Sequence, residues 1–229
     1  HWDHLGRNFS GLGDRIFNGA VDNATGVAGV LEIAELFTTL KTPPERSVVF
    51  LFVTLEESGL LGSKYYAAHP LVPLEKTVAA INLDAMSVIG PTRDLVVIGL
   101  GNSELDDLAR RFADTQGRVL VEESAPQNGY FFRSDHFNFA KAGVPALYAK
   151  GGVDHVEKGS EYGLAWQADY VANRYHKVGD NFDPAWDLRG VVQDLQLLFA
   201  VGHTLATSED WPNYVEGNAF RKTEQRGRF

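Results

Sequence analysis

Histidines, carboxylates and a phenol that can bind cations or move protons fall in five short segments of this chain. His1-Trp2-Asp3 sets a carboxylate two residues from an imidazole. On an extended chain the two side chains share a face, so Asp3 can hold the His1 ring, fixing its tautomer and raising its basicity as a metal ligand. Asp22 lies in the small-residue run NGAVDNATG. There it serves either as a helix cap or as a carboxylate offering one oxygen to each of two cations. Glu56-Glu57 ends the apolar run SVVFLFVTL. Adjacent carboxylates beside a low-dielectric core repel each other unless a cation takes one and leaves the other free for proton transfer; a solvated loop is the plain alternative. Asp84 closes VAAINLD, where a charge is seldom left unpaired unless it caps a turn. Tyr175-His176-Lys177, then Gly179-Asp180-Asn181, place a histidine beside a phenol in a polar loop. His4, His69, His136, His155 and His203 lack such neighbours and are expected to be surface or core histidines.

Nitrogen and oxygen donors without sulfur suit zinc in a hydrolytic site, and the absence of cysteine excludes thiolate ligands, disulfides and a thiol nucleophile. Two cations bridged by one carboxylate, about 3.5 Å apart, would clamp a water and polarise a carbonyl.

The elements that must position these residues follow from periodicity. GVAGVLEIAELFTTL predicts a helix over 26–40, stopped by Pro43 and Pro44. The runs at 47–55, 77–83 and 94–100 are apolar without alternation, as strands buried on both faces are. A capped amphipathic helix is expected over 103–116, a strand over 118–123, a short helix over 134–143, a strand over 144–149 and a last helix from about Trp186. Residues 124–133 and 150–175 read as loops, 2–21 as a long loop that shapes the pocket, and 208–229 as a polar tail. Apolar strands alternating with helices predict an α/β fold, with sites where loops leave the strands' carboxyl ends. At 229 residues the chain fits a single domain, with 44% hydrophobic and 22% charged residues. A net charge of −9 argues against nucleic acid as a partner, and no apolar stretch is long enough for a membrane span.

HWDHLG, GAVDNATG, VTLEESGLLGS, INLDAM and RYHKVGDNFD resemble, in order and strand context, the motifs of the co-catalytic dizinc exopeptidases of clan MH, of the bacterial secreted aminopeptidase and aminopeptidase Y type. The resemblance implies a three-layer α/β/α sandwich around a mixed, largely parallel sheet, and two zinc ions per chain. It implies His1 and Asp84 as terminal ligands of one zinc, Glu57 and His176 of the other, and Asp22 as the bridge, in a family where the next peptide bond is often cis. It further implies Asp3 as the partner of His1, Glu56 as general base, Tyr175 as oxyanion donor and Arg133 as a substrate contact. The implied substrate is a peptide with a free N-terminus, and the implied home is secreted or periplasmic. The motifs begin on a ligand, so a catalytic domain shortened at its N-terminus is expected. A carboxypeptidase of the glutamate carboxypeptidase type, with Arg133 and Arg174 as its basic candidates, a glutaminyl cyclase, and a metal-free domain of the same fold are the alternatives. Tyr130, Phe131, Phe132 and Trp166 are candidates to line an apolar substrate pocket.

Overall fold

Four of the apolar runs build one sheet, and the acidic segments sit at its ends. The computed structural model describes residues 1–10 and 12–222. Strands β3 (Ala80–Asn82), β4 (Asp94–Val97), β5 (Val119–Glu122) and β6 (Ala146–Gly151) lie in the order β3-β6-β4-β5. β3 is parallel to β6 and β4 to β5, whereas β4 and β6 are antiparallel. A separate hairpin, β1 (Gly6–Arg7) and β2 (Ile16–Phe17), folds the segment between His1 and Asp22 back on itself.

Helices α1 (Gly26–Thr38), α3 (Leu105–Thr115) and α6 (Arg189–Thr207) pack together on one side of the sheet, while α2 (Leu61–Ala68) and α4 (His136–Lys141) pack together against β3 and β6. The amphipathic pattern of α3 is explicit: Leu105, Ala109 and Ala113, four residues apart, are fully buried. Two glycines press α1 onto the site. A Cβ at Gly26 would stand 2.4 Å from the Leu83 carbonyl oxygen, and one at Gly29 would stand 2.8 Å from Leu195 and 2.9 Å from Leu83. Only glycine lets the helix start this close to the segment that follows β3 and leads to Asp84.

Two expectations are corrected. Residues 47–55 form no strand: the β-branched composition suits one, but a strand needs a hydrogen-bonded neighbour along its length, and here bonds occur only at its end, where Val53 accepts from the Trp2 amide at 3.0 Å and Thr54 and Leu55 accept from the turn at Leu61 and Gly62. The 150–175 loop contains helix α5 (Gly159–Asn173), whose aromatics and glycines spread around the axis and hide the helical period; Trp166 stacks on Tyr170 at 5.3 Å. The tail is docked as far as it is described. Tyr214 is fully buried, donates to the Val144 carbonyl at 3.1 Å and bridges to Ser103; residues 223–229 of that tail lie outside the described residues.

Candidate metal centre

Each acidic motif reaches the site because the backbone around it is pinned. Asp22 lies in the turn Ala20–Thr25, which leaves helical geometry at Asp22 and Asn23, and the peptide bond between them is cis. Asp180, wholly buried, accepts from the Val21 and Asp22 amides, each at 3.0 Å, so the loop carrying His176 grips the turn carrying Asp22. Asn23 completes the frame: its amide donates to the Leu83 carbonyl, and its side-chain oxygen accepts from the Gly26 and Ala85 amides. Leu55, Ala85 and His176 have positive φ, of 57°, 49° and 56°. A left-handed backbone is strained for such residues, and here it occurs beside Glu56, beside Asp84 and at His176 itself.

The side chains converge around Asp22. Its Oδ1 is 3.1 Å from Nε2 of His1, whose Nε2 is also 3.5 Å from Asp84 and 3.9 Å from Glu56. Its Oδ2 is 3.2 Å from Nε2 of His176, which lies 3.0 Å from Glu57. One carboxylate therefore faces two imidazole–carboxylate pairs, one through each oxygen. Ligand-capable atoms of His1, Asp22 and Asp84 lie within 4.8 Å of one another, as do those of His4, Asp22 and Glu57. Tyr175 stacks on His176 with ring centroids 3.8 Å apart. Ser134 donates to Asp84 Oδ2 at 2.6 Å and accepts from the Asn82 amide at 2.8 Å.

Electrostatics keep this cluster charged. Burial alone would lower the His1 pKa, but the Asp22 and Asp84 carboxylates drive it up to about 12; Asp22 and Glu57 raise His176 to about 10. Burial works against ionisation of Glu57, yet the His176 and His4 rings hold it at about 2. Burial and Asp84 push Glu56 up to about 9, and burial raises Tyr175, helped by Asp22 and Glu57. The site therefore holds protons where a cation would sit, and a cation entering displaces them.

Two sequence expectations about side-chain roles change. The Asp3 carboxylate does not reach the His1 ring. It is taken by the Leu55 amide at 2.8 Å and the Thr54 hydroxyl at 2.7 Å, and Nδ1 of His1 faces the Asp3 backbone carbonyl instead, at 2.8 Å. His4 is no bystander: its Nδ1 lies 2.7 Å from Glu57 and its ring packs edge-on to His176. Its neighbour arrives from sequence position 57, so nothing beside His4 in the chain signals it; the bonds that Asp180 makes to the Asp22 turn and Ser134 to Asp84 go unsignalled for the same reason. Arg133 stands apart, exposed over the Tyr130 ring at 5.8 Å, and Arg174 pairs with Asp169 at 2.8 Å. Phe131 packs on His136 and Phe220, and Trp166 on Tyr170, so both serve the core.

The residues fit a metal centre. Nε2 of His4 is buried with no hydrogen-bonding partner among the described residues, and the other buried donor atoms of the cluster, Nε2 of His1 and Oε1 of Glu57 among them, meet only each other's imidazoles and carboxylates. A native interior seldom leaves such atoms unsatisfied, and a cation would satisfy them. The donor set of imidazole nitrogens and carboxylate oxygens is that of zinc in hydrolytic sites.

The chain is similar to known proteins in sequence and in fold. A probable leucine aminopeptidase 2 of Aspergillus oryzae is 29% identical over 175 residues, covering 71% of this chain and 34% of that protein. A vacuolar membrane protease of Verticillium alfalfae is 38% identical over 72 residues, 31% of this chain and 7% of that protein. The chain thus spans about a third of the length of the leucine aminopeptidase it matches. Among solved structures, an aminopeptidase from Aneurinibacillus sp. superposes with a TM-score of 0.61 at 24% identity, over 84% of this chain and 41% of that one. LapA of Legionella superposes with a TM-score of 0.63 at 21% identity, over 85% and 50%. These superpositions establish the three-layer α/β fold. Peptidase family M28 matches residues 1–200, and the chain belongs to that family.

Proposed function

We propose that this chain carries the catalytic centre of a two-zinc aminopeptidase, with His1 and Asp84 serving one ion, Glu57 and His176 the other, and Asp22 between them. The observation that carries this reading is the placement of Asp22, whose two oxygens lie 3.1 and 3.2 Å from histidines belonging to two different acid–imidazole pairs. When bound, the ions would polarise the scissile carbonyl and make a water acidic enough to ionise near neutral pH. Glu56 is the group of the cluster best suited to take that water's proton and pass it to the departing amine. It is buried and reluctant to ionise, with a pKa of about 9; added positive charge would draw it towards neutrality, where a general base works best. Tyr175, kept neutral by burial, retains its phenolic proton to donate to a developing oxyanion. The carboxylates have the sign to receive a substrate's free α-ammonium, which is what favours an aminopeptidase. Related proteins named as leucine aminopeptidases point the same way.

The test is zinc per chain by elemental analysis, read beside hydrolysis of leucine p-nitroanilide. Two zincs and chelator-sensitive hydrolysis are expected, and Glu56→Gln should lose about 10²- to 10⁴-fold in turnover while retaining both ions. Full activity in Glu56→Gln would remove Glu56 as the base. A single zinc, or none after reloading, would overturn the two-metal reading, and two zincs without hydrolysis would overturn the aminopeptidase assignment.

A further inference from the structure

Lys150 brings a positive charge to the edge of the acidic cluster. β6 runs parallel to β3 with Tyr148 level with Asn82, so Lys150, two residues on, falls beside Asp84. Its side chain leaves the sheet on the same face as that of Tyr148. Nζ lies 3.3 Å from the Asp84 carbonyl and 3.1 Å from the Tyr148 hydroxyl oxygen. The Asp84 carboxylate is engaged elsewhere, by the His1 ring at 3.5 Å and the Ser134 hydroxyl at 2.6 Å. Among the described residues no carboxylate forms an ion pair with Lys150, and its two hydrogen-bond acceptors are both neutral. An ammonium carries three donors, so one is left over. Lys150 is only half-buried, so that donor is open to a ligand.

A purely structural lysine fits this place poorly. Tyr148 already donates to the Asp84 carbonyl at 3.0 Å, which satisfies that oxygen without help. A cation half-withdrawn from water against neutral acceptors carries a desolvation cost that an uncharged side chain would avoid. The spare donor, the missing counter-ion and the position beside Asp84 together call for an anion that arrives with the substrate.

We propose that Lys150 receives the side-chain carboxylate of the substrate's first residue, so that peptides beginning with glutamate or aspartate are preferred. The inference rests on the aminopeptidase reading of the same site. In that reading the scissile carbonyl meets the ions and the α-ammonium meets the acidic side chains, so the side chain is the group left on the first Cα to reach Lys150. Nζ bonds the backbone of the very residue whose carboxylate joins the cluster, a separation that suits an acid carried on one or two methylenes. The charge-assisted bond favours a carboxylate over the isosteric amide, which offers an oxygen without the charge. An apolar first residue leaves the ammonium unpaired, so leucine is the poorer substrate.

The test compares kcat/KM for the glutamyl, glutaminyl and leucyl p-nitroanilides on the zinc-loaded protein. The wild type is expected to favour glutamyl over glutaminyl by about tenfold or more. That ratio should fall to about one in Lys150→Met, or in Lys150→Gln where the methionine variant does not fold, and recover in Lys150→Arg. A wild type without the preference overturns the proposal. So does a Lys150→Met variant in which all three substrates slow together at an unchanged ratio, since that is the mark of a lysine that merely braces Asp84. Calorimetry with free L-glutamate and L-glutamine reads the same contact without turnover: tighter glutamate binding in the wild type but not in Lys150→Met is expected, and equal binding overturns it. If none of the three anilides is cut, the aminopeptidase reading fails, and the calorimetry still decides the role of Lys150.

Discussion

Glu57 is held from two directions, by His176 at 3.0 Å on one oxygen and by His4 at 2.7 Å on the other. The His4 contact fixes the carboxylate's rotation and leaves Oε2 turned towards Asp22 and His176. Outer partners of this kind typically govern metal affinity by 10- to 100-fold. His4→Ala is therefore expected to weaken one of two zinc sites by about that factor in a chelator competition while sparing the other; equal loss at both would show damage to the whole site. His136 acts through protons. It is 1% exposed, with neither ring nitrogen partnered among the described residues, and burial lowers its pKa from 6.5 to about 4. Below pH 6.5 the unfolded chain binds this proton and the folded chain refuses it, so stability falls as pH drops towards 4, by on the order of 3 kcal/mol in total. His136→Phe, set beside Phe131 and Tyr148, should flatten that part of the slope in urea titrations of the metal-free protein; an unchanged slope would clear His136. The acid at each strand end was legible in the sequence because a charge closing an apolar run demands a reason. The roles of His4, Asp180 and Ser134 were not, because each acts on a residue that only folding brings near.

At the scale of elements, α6 is fastened to the sheet by a buried pair. Arg118 and Asp194 are 2% and 0% exposed and meet at 2.7 Å, with Arg118 also donating to Thr92 and the Asp94 carbonyl and Asp194 accepting from the Gly151 amide. Removing one member leaves the other charged and dry, so Asp194→Ala should cost about 3–5 kcal/mol in urea unfolding, whereas Arg118→Met with Asp194→Leu should recover most of it. Periodicity found α1, α3 and α6, whose buried residues recur every three or four positions, and the strands that find partners. It missed α5, where Trp166 and Tyr170 stabilise a helix through contacts rather than through an apolar stripe. It overcalled 47–55 because composition records the fitness of a segment for pairing, while pairing depends on what lies beside it.

For the molecule as a whole, the proposed ion binding would be coupled to folding. The site holds its imidazoles protonated, at about 12 for His1 and about 10 for His176. Zinc needs them neutral, so binding releases protons and affinity rises with pH. Titrating zinc into weakly buffered metal-free protein at pH 7 should acidify the solution, and apparent affinity should fall as pH is lowered; binding without proton release would contradict the charged cluster. Zinc at one hundred times its dissociation constant should add about 2.7 kcal/mol per site, or about 5–10 °C in thermal midpoint for a chain of this size, reversed by chelator.

The grip of Asp180 on the Val21 and Asp22 amides, and the contact of His176 with the Asp22 carboxylate, tie the first motifs of the sequence to residues 176–180. During synthesis the first five candidate ligand and base residues leave the ribosome well before their partners do. Until His176 and Asp180 follow, Asp22 lacks both its second imidazole and the carboxylate that shapes its turn. A nascent chain that has emerged only as far as Asp84 therefore carries a half-built centre, and the centre stays incomplete until residues 176–180 have followed.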